Sequence, residues 1–373
     1  MVPSTSTTTM HSTFSDMTPG IYKSARTPLA ILVMGVSAFL TGCGGGSSDS
    51  GALPATAPAQ LAALPASPNP STVTSVSAVQ AYPADSEELA AYTLLNSERS
   101  RCGFGMLAVN APLNAAAKAH ADYQVINSLN SHLEDRRQFP EGFTGTDPAA
   151  RVQAQGYTDL GGVTDEFAFF TFSGPAQPKR GIGELGIRGL LNAPYHLNGL
   201  MSGYRDVGFA VRSNEDVGKG LRGIFVQINA AYKAAAGPQL LGSTSVQTYP
   251  CDGTTGVNRQ LTNETPNPVP GRDLRTNPLG STVYIAAREG NRITITSAAM
   301  TQASTGQTVA LRAPVTAATD PYGPCQTGCF EPHQAYIVPD GPLQPNTAYA
   351  VMVSGTNNGS TFSRNFTFST NAD

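Results

Sequence analysis

The spacing of apolar residues changes near residue 205, and this change limits the chain to a mixed fold of helices and strands. Before this point apolar side chains recur every four residues, as at Leu113 and Ala117, which is the spacing of one helix face. After it, Val207, Phe209 and Val211 occupy alternate positions, as in a half-buried strand. Helices followed by strands of antiparallel type predict an α+β fold.

Four helices are expected in the first folded region, each with a start signal in the sequence or an apolar helical pattern. Asp85 with Glu88 predicts a capping box at the start of the first helix. The second helix is expected to begin near Asn110, and Asp147 before a proline predicts the cap of the third. The segment 182–191 predicts the fourth, although its glycines weaken helix propensity.

Composition excludes two broad classes of protein. Charged residues make up 13% of the 373 positions, the formal net charge is −3, and the sequence has no cluster of lysine and arginine. Such a chain has no electrostatic footprint for nucleic acid. A hydrophobic content of 40% provides enough apolar surface for a large core, so wholesale disorder is excluded as well.

The N-terminal segment predicts export and a lipid anchor. Lys23 and Arg26 precede an uncharged apolar run at 28–40, which is too short to span a bilayer and is typical of a signal peptide. The run ends in Leu-Thr-Gly-Cys43, which is similar to the lipobox of bacterial lipoproteins and implies cleavage before Cys43 and lipidation of its thiol. The alternative is an ordinary secretory signal with a chance cysteine. In a Gram-negative cell, Gly44 favours the outer membrane.

Composition shifts divide the chain into five segments. The part after Cys43 is rich in Gly, Ser, Ala and Pro and predicts a flexible tether. The expected boundaries are a leader at 1–43, the tether at 44–83, a first domain at 84–253, a linker at 254–265 and a second domain at 266–373.

The four cysteines after the lipobox predict two disulfides in an exported chain. Three connectivities are possible. We favour Cys102 with Cys251 across the first domain and Cys325 with Cys329 as a local loop. The alternative for the second pair is a metal site with His333, but its spacing matches neither zinc ribbons nor haem attachment.

The second folded region predicts a β-sandwich. Short alternating runs separated by turn residues occur at the intervals expected of about 100 residues of sandwich. The segments 343–353 and 366–370 look like the closing hairpin of bacterial Ig-like domains, which are spacers or adhesive modules. The predicted strands lie in Val283-Tyr-Ile, Ile293-Thr-Ile-Thr, Val309-Ala-Leu, Ala335-Tyr-Ile-Val, Tyr349-Ala-Val-Met-Val and residues 362–368.

A series of short motifs in the first region resembles bacterial members of the CAP superfamily. This superfamily groups cysteine-rich secretory proteins, antigen 5 and plant pathogenesis-related proteins. The resemblance covers under half of the chain and implies an α-β-α sandwich, in agreement with the pattern of apolar residues. The motifs, in order, are Leu94-Leu-Asn-Ser-Glu-Arg99, Leu113-Asn-Ala-Ala-Ala-Lys-Ala-His120, Asn130-Ser-His132, Arg151-x4-Gly156-Tyr157, Asp165-Glu166, Asn192-Ala-Pro-Tyr-His196 and Val207-Gly208-Phe209.

The same resemblance predicts the residues of a candidate site. It implies that His132 and His196 are the two histidines of the family's central cavity and that Glu166 is the glutamate of its Gly-Glu-Asn motif. Two imidazoles and a carboxylate can hold a divalent metal such as Zn²⁺ or exchange protons without one. The alternative is a hydrogen-bonded network that only holds the loops together. His120 lies close to the apolar face of its helix, so we expect it to pack in the core.

The chain also departs from the family pattern beside this site. Asp165 and Phe167 replace the residues that flank the family's glutamate, and Leu190 stands where the family has a tryptophan. A second family glutamate has no counterpart at the matching position. Glu184 is the nearest upstream carboxylate, and we name it as a guess for the role of this second glutamate.

Common catalytic motifs are missing from the sequence. It contains no Gly-x-Ser-x-Gly elbow, and no cysteine after the lipobox is free if both disulfides form. The leading hypothesis is therefore a cell-envelope lipoprotein that binds a lipid, a small apolar molecule, a glycan or a protein in a central His/Glu cleft. The first alternative is a metal-dependent hydrolase that uses His132, Glu166 and His196, and the second is a structural or adhesive module.

Overall fold

The computed structural model describes most of the chain after the leader and the tether, and the described residues all belong to one compact unit. Cys43, most of the predicted tether and Cys325 lie outside the described residues. The described ranges are 11–13, 22–23, 70–74, 82–171, 180–220, 222–323 and 329–372.

All four predicted helices are present, together with two that were not predicted. Within the described part of the chain, no helix combines the length and the apolar character needed to cross a membrane. The helices are α1 (Glu87–Arg101), α2 (Ala111–Asn127), α3 (Pro148–Ala154), α4 (Ile182–Leu190), α5 (Pro194–Met201) and α6 (Asn214–Val217).

The predicted cap of α1 is wrong by one residue, whereas the other two caps are confirmed. Ser86 Oγ accepts the hydrogen bond from Leu89 N at 3.1 Å. Asp85 has a φ of 62°, which is not the extended conformation that a capping residue adopts. The predicted capping box is absent too, because Glu88 accepts a hydrogen bond from Val211 N instead. Asn110 and Asp147 cap α2 and α3 as expected.

The glycines of α4 allow it to pack closely against its neighbours. A Cβ atom at Gly183 would lie 2.1 Å from the carbonyl oxygen of Glu87 in α1. A Cβ atom at Gly186 would lie 3.0 Å from the Val226 side chain. The glycines that weaken the helix in the sequence therefore permit its close contact with α1 and with the sheet.

The first region is built on a mixed sheet in the strand order β1-β4-β6-β5-β3, with β2 also pairing with β4, and strands β1 and β2 come from the segment predicted as the leader. All pairs are antiparallel except β3 with β5. Strand β4 was missed from the sequence because both of its faces are buried and it carries polar residues, so it lacks simple alternation. The strands are β1 (His11–Thr13), β2 (Tyr22–Lys23), β3 (Ala108–Val109), β4 (Leu160–Thr171), β5 (Asp206–Ser213) and β6 (Ile224–Lys233).

Helices cover both faces of this sheet. On one face, Phe167 and Phe225 pack with Ala121 and Val125 of α2. On the other face, Val226 and its neighbours pack with residues of α1, α4 and α5. The first region is thus layered as helix, sheet and helix, which agrees with the expected α+β class.

The second region consists of two four-stranded sheets. One has the order β10-β13-β14-β8 and the other β11-β12-β9-β7. Residues 309–311 were predicted as a strand, but they contribute only an isolated bridge at Leu311. The strands are β7 (Val246–Tyr249), β8 (Thr254–Val257), β9 (Val283–Ala287), β10 (Ile293–Gln302), β11 (Val315–Thr316), β12 (Gln334–Ile337), β13 (Ala348–Asn357) and β14 (Ser360–Thr370).

The two sheets of the second region share one apolar core. Ile285 and Ile337 from one sheet pack in the same cluster as Val353 and Phe368 from the other. Strands β7 and β8 belong to these sheets although they lie before residue 266. The segment predicted as a linker therefore contains a strand, and the sandwich begins earlier than the composition suggested.

The predicted disulfide between Cys102 and Cys251 is present, with its Cα atoms 5.5 Å apart. It joins the end of α1 to the turn between β7 and β8, across a sequence separation of 149 residues. A loop of this length corresponds to roughly 4–5 kcal/mol of stabilisation on the chain-entropy model. The Cys325–Cys329 pairing stays a prediction, because Cys325 lies outside the described residues.

Candidate functional site

The fold brings the two candidate histidines together and buries them. The rings of His132 and His196 have centroids 6.3 Å apart, and the two residues are 2% and 0% exposed. Glu166, from β4, is also 0% exposed, and its Oε1 accepts a hydrogen bond from Thr164 Oγ1 at 2.6 Å. The three residues therefore lie in the protein interior, where the sequence predicted a central cleft or, as the alternative, a hydrogen-bonded network.

Asp165 is the partner of His132. Its Oδ2 atom lies 2.8 Å from His132 Nδ1, and its Oδ1 forms an ion pair with Arg151 Nη2 at 3.2 Å. Gln227 Nε2 donates a second hydrogen bond to Oδ1 at 2.7 Å. Arg151 also donates to the backbone oxygen of His132 at 2.9 Å. Asp165 is thus the centre of a buried ionic network.

His120 and Glu134 extend this network. His120 Nδ1 lies 2.9 Å from Glu134 Oε1, and both side chains are buried. Burial lowers the pKa of His120. Burial alone would raise the pKa of Glu134, but its hydrogen bond with His120 and the backbone N–H of Thr144 lower it. His120 packs in the interior as expected, and it does so as part of a polar pair.

His196 has a carboxylate partner that was not predicted from the sequence. Its Nδ1 atom lies 3.3 Å from Glu264 Oε1, which also accepts a hydrogen bond from Tyr195 N at 2.8 Å. Glu264 follows β8 in the segment predicted as a linker, 68 residues from His196. No local motif connects the two residues, so only the tertiary structure places them together.

Glu184 does not join this group. It lies in the first turn of α4, is exposed, and lines a surface cleft with Glu87 and Arg180. The guess that Glu184 supplies a second carboxylate is therefore wrong in this structure, and Glu264 lies beside His196 instead.

Asp165 and Glu166 are adjacent in β4, so their side chains point to opposite faces of the sheet. Burial raises the pKa of Asp165, but the positive charge of Arg151 and the interactions with His120 and His132 outweigh it and hold this pKa well below its usual range. Burial raises the pKa of Glu166 well above its usual range, and the charge of Asp165 adds to this. The surroundings therefore favour the ionised form of Asp165 and the protonated form of Glu166.

Helix α5 and the second region cover the group. All eight residues of α5 are buried, and a Cβ atom at Gly199 would lie 1.9 Å from Glu166 Oε1. Asn198 Oδ1 accepts a hydrogen bond from the Tyr284 hydroxyl at 3.1 Å. Tyr195 donates its hydroxyl to Asp320 at 2.9 Å. Side chains of the second region thus anchor the helix that lies over Glu166.

Three buried polar atoms near the histidines bear on whether this group could hold a divalent metal. His132 Nε2, Glu166 Oε2 and Glu264 Oε2 have no hydrogen-bond partner among the described residues. Burial favours the protonated form of Glu166, and a neutral carboxyl group is a poor metal ligand. In the described part of the chain, no group of three or more His, Cys, Asp and Glu residues is arranged to hold a metal ion.

Comparisons with known proteins add no family assignment. No protein-family model matches the chain, and no curated protein matches it by sequence. The resemblance to the CAP superfamily therefore rests on the short sequence motifs of the first region.

Two isosteric substitutions at neighbouring positions should differ strongly in their effect on stability. We expect Asp165→Asn to lower the free energy of unfolding by about 3–5 kcal/mol, because it leaves Arg151 buried without its ion-pair partner. We expect Glu166→Gln to change it by less than about 1 kcal/mol near pH 5, because the native side chain is already neutral. Urea unfolding at pH 5 measures both values, and equal losses in the two variants would contradict the assigned protonation states.

The stability of the wild type relative to Glu166→Gln should depend on pH. The unfolded chain releases the Glu166 proton near the ordinary pKa, whereas the folded protein retains it to a higher pH. Ionisation therefore favours the unfolded state, and wild-type stability should fall relative to the variant as pH rises above about 4.5, by up to about 1.4 kcal/mol per pH unit. Parallel urea titrations from pH 5 to pH 8 check this, and a pH-independent difference would show that Glu166 ionises normally.

Proposed function

We propose that this protein is an exported, lipid-anchored module of the bacterial cell envelope that binds a ligand or partner and catalyses no reaction. In this proposal the His132, Glu166 and His196 group is part of the internal framework. The observation that carries the proposal is the burial of all three side chains, none of which is more than 2% exposed.

Burial argues against catalysis because a general acid or base must come within hydrogen-bond reach of its substrate. The Nδ1 atoms of both histidines are also engaged by carboxylates, Asp165 for His132 and Glu264 for His196. These contacts orient the rings and tie together segments that are far apart in the sequence. Such a network stabilises a single arrangement of the surrounding loops.

The two folded regions are proposed to be a CAP-like domain followed by an Ig-like domain. Two observations support the first assignment. The first region is layered as helix, sheet and helix, and the rings of His132 and His196 lie close together. The shared core of two four-stranded sheets supports the second. Ig-like domains are commonly spacers or adhesive modules, which suits a binding protein held at the envelope.

Export and lipid anchoring are supported by two independent features. The apolar run at 28–40 ends in a lipobox-like Leu-Thr-Gly-Cys43. The disulfide between Cys102 and Cys251 fits a protein that folds in an oxidising compartment. Residues 44–83 would then act as the tether, and Gly44 favours the outer membrane if the cell is Gram-negative.

A metal-dependent hydrolase is the second candidate function. The buried Nε2 of His132 and Oε2 of Glu166, which lack hydrogen-bond partners among the described residues, are the observation in its favour. Glu264 would then be a further carboxylate beside His196. The raised pKa of Glu166, which favours its neutral form, is the main argument against it.

Metal analysis distinguishes the two candidates. We expect protein purified without chelator to hold substoichiometric zinc, and we expect EDTA to leave its melting temperature unchanged, because a native-state ligand would otherwise add to stability. His132→Ala and His196→Ala should lower the melting temperature without altering metal content. One zinc per chain in the wild type, lost in both variants, would replace the proposed function with the hydrolase.

Lipid anchoring is tested at Cys43. We expect the wild-type protein from membranes to enter the detergent phase in a Triton X-114 separation, and Cys43→Ser to enter the aqueous phase, because acyl chains supply the membrane affinity. Mass spectrometry of the mature N-terminus identifies the acyl groups. Wild-type protein that is cleaved but unlipidated would establish an ordinary secretory signal instead.

A further inference from the structure

The second region has a sheet face that is not covered by the described part of the chain. In β13 and β14, Val351, Val353, Phe366 and Phe368 point inward and pack in the core between the sheets. The alternate residues point outward and are exposed or half-buried. The outward positions of β10 continue this surface, which we call the outer face.

Half of the outer face is made of hydroxyl side chains in register. The strand pairing aligns one row of three threonines and one row of three serines across β10, β13 and β14. Thr294 and Thr356 share a hydrogen bond at 2.6 Å, and Ser354 donates one to Ser363 at 3.2 Å. The rows are Thr294, Thr356 and Thr361, followed by Ser297, Ser354 and Ser363.

The other half of the outer face contains a shallow depression of about 490 Å³. Its alanines leave space between larger side chains, and Met352 is 49% exposed at its centre. The carboxylate of Asp252 lies at one edge, where its Oδ1 accepts hydrogen bonds from the N–H and hydroxyl of Thr367. The aligned rows here are Ala299, Met352 and Asn365, followed by Thr301, Ala350 and Thr367.

The aligned side chains of the outer face are uncharged, and the carboxylate of Asp252 borders its depression. None of its twelve aligned side chains is ionisable, although the whole chain carries 23 Lys and Arg and 26 Asp and Glu residues. A charged partner such as an anionic lipid would gain no Coulomb attraction here. A flat pattern of hydroxyl, amide and methyl groups instead matches a neutral ligand that presents both hydroxyl groups and C–H surface.

We propose that the outer face binds a neutral polysaccharide, with one sugar unit in the depression around Met352 and neighbouring units along the hydroxyl rows. Strands lie about 4.8 Å apart and alternate residues about 7 Å apart, so the face offers regularly spaced hydrogen-bonding groups to a polymer. This inference rests on the proposed binding function and assigns its site and ligand class.

A second copy of the chain fits the outer face less well. Stable dimer interfaces need a fully buried apolar centre. Met352 is the one large apolar side chain that is strongly exposed among the described residues of the second region. Hydroxyl groups surround it, and their desolvation would offset the gain from burying a single methionine.

The test uses the exported full-length protein in detergent and co-sedimentation with insoluble cellulose, chitin and β-1,3-glucan. We expect retention on at least one of these polymers, and we expect it to survive about 0.5 M NaCl, which screens interactions between exposed charges. Met352→Lys and Asn365→Ala should each weaken retention at least tenfold while the melting temperature stays unchanged. The matched control is Leu133→Lys, because Leu133 lies in the first region and is 44% exposed.

Each alternative outcome has a distinct meaning. Retention that is unaffected by both substitutions in the outer face would overturn the assigned site but preserve the proposed binding function. Binding to none of the three polymers would overturn the ligand class, and crosslinking to envelope proteins would then test the binding function separately. A concentration-dependent dimer in light scattering that Met352→Lys abolishes would assign the face to self-association instead.

Discussion

The buried charge of Asp165 is the constraint on which the first region depends. An ionised carboxylate at 0% exposure is tolerated only when positive charge and hydrogen-bond donors surround it. Here those groups come from the loop after α2, from α3 and from β6, through His132, Arg151 and Gln227. One carboxylate therefore fixes three segments of the chain against the sheet. Its partners lie where they do because its buried negative charge must be balanced by hydrogen-bond donors and positive charge.

The neighbouring residue Glu166 shows how strongly the pKa of a carboxyl group depends on the face of the sheet where it lies. Asp165 and Glu166 are consecutive, yet alternation along β4 turns one towards Arg151 and His132 and the other towards α5. These surroundings favour the ionised form of the first and the protonated form of the second. A site of this kind holds the loops and α5 in place, which is why we assign it to the framework and place ligand binding elsewhere.

The second region has a different role on each of its faces. The sheet that contains β9 packs on the first region, where the Tyr284 hydroxyl donates to Asn198 of α5, and the segment between β8 and β9 brings Glu264 to His196. The other sheet leaves a hydroxyl-rich surface that faces away from the shared core. The way the sandwich packs therefore has two consequences. It buries His196 and leaves the outer face exposed.

Periodicity and capping in the sequence determined the four main helices, two of the predicted caps and most strands of the sandwich, because these signals act through nearby residues. The cysteine count left three connectivities open, and the structure supplied the Cys102–Cys251 pairing that we favoured among them. The sequence also named His132, Glu166 and His196 through motifs. Their burial, the pairing of His196 with Glu264 and the exclusion of Glu184 were decided only by the tertiary structure. Contacts across 68 residues and the solvent exposure of a site depend on how whole layers pack, and no local pattern encodes them.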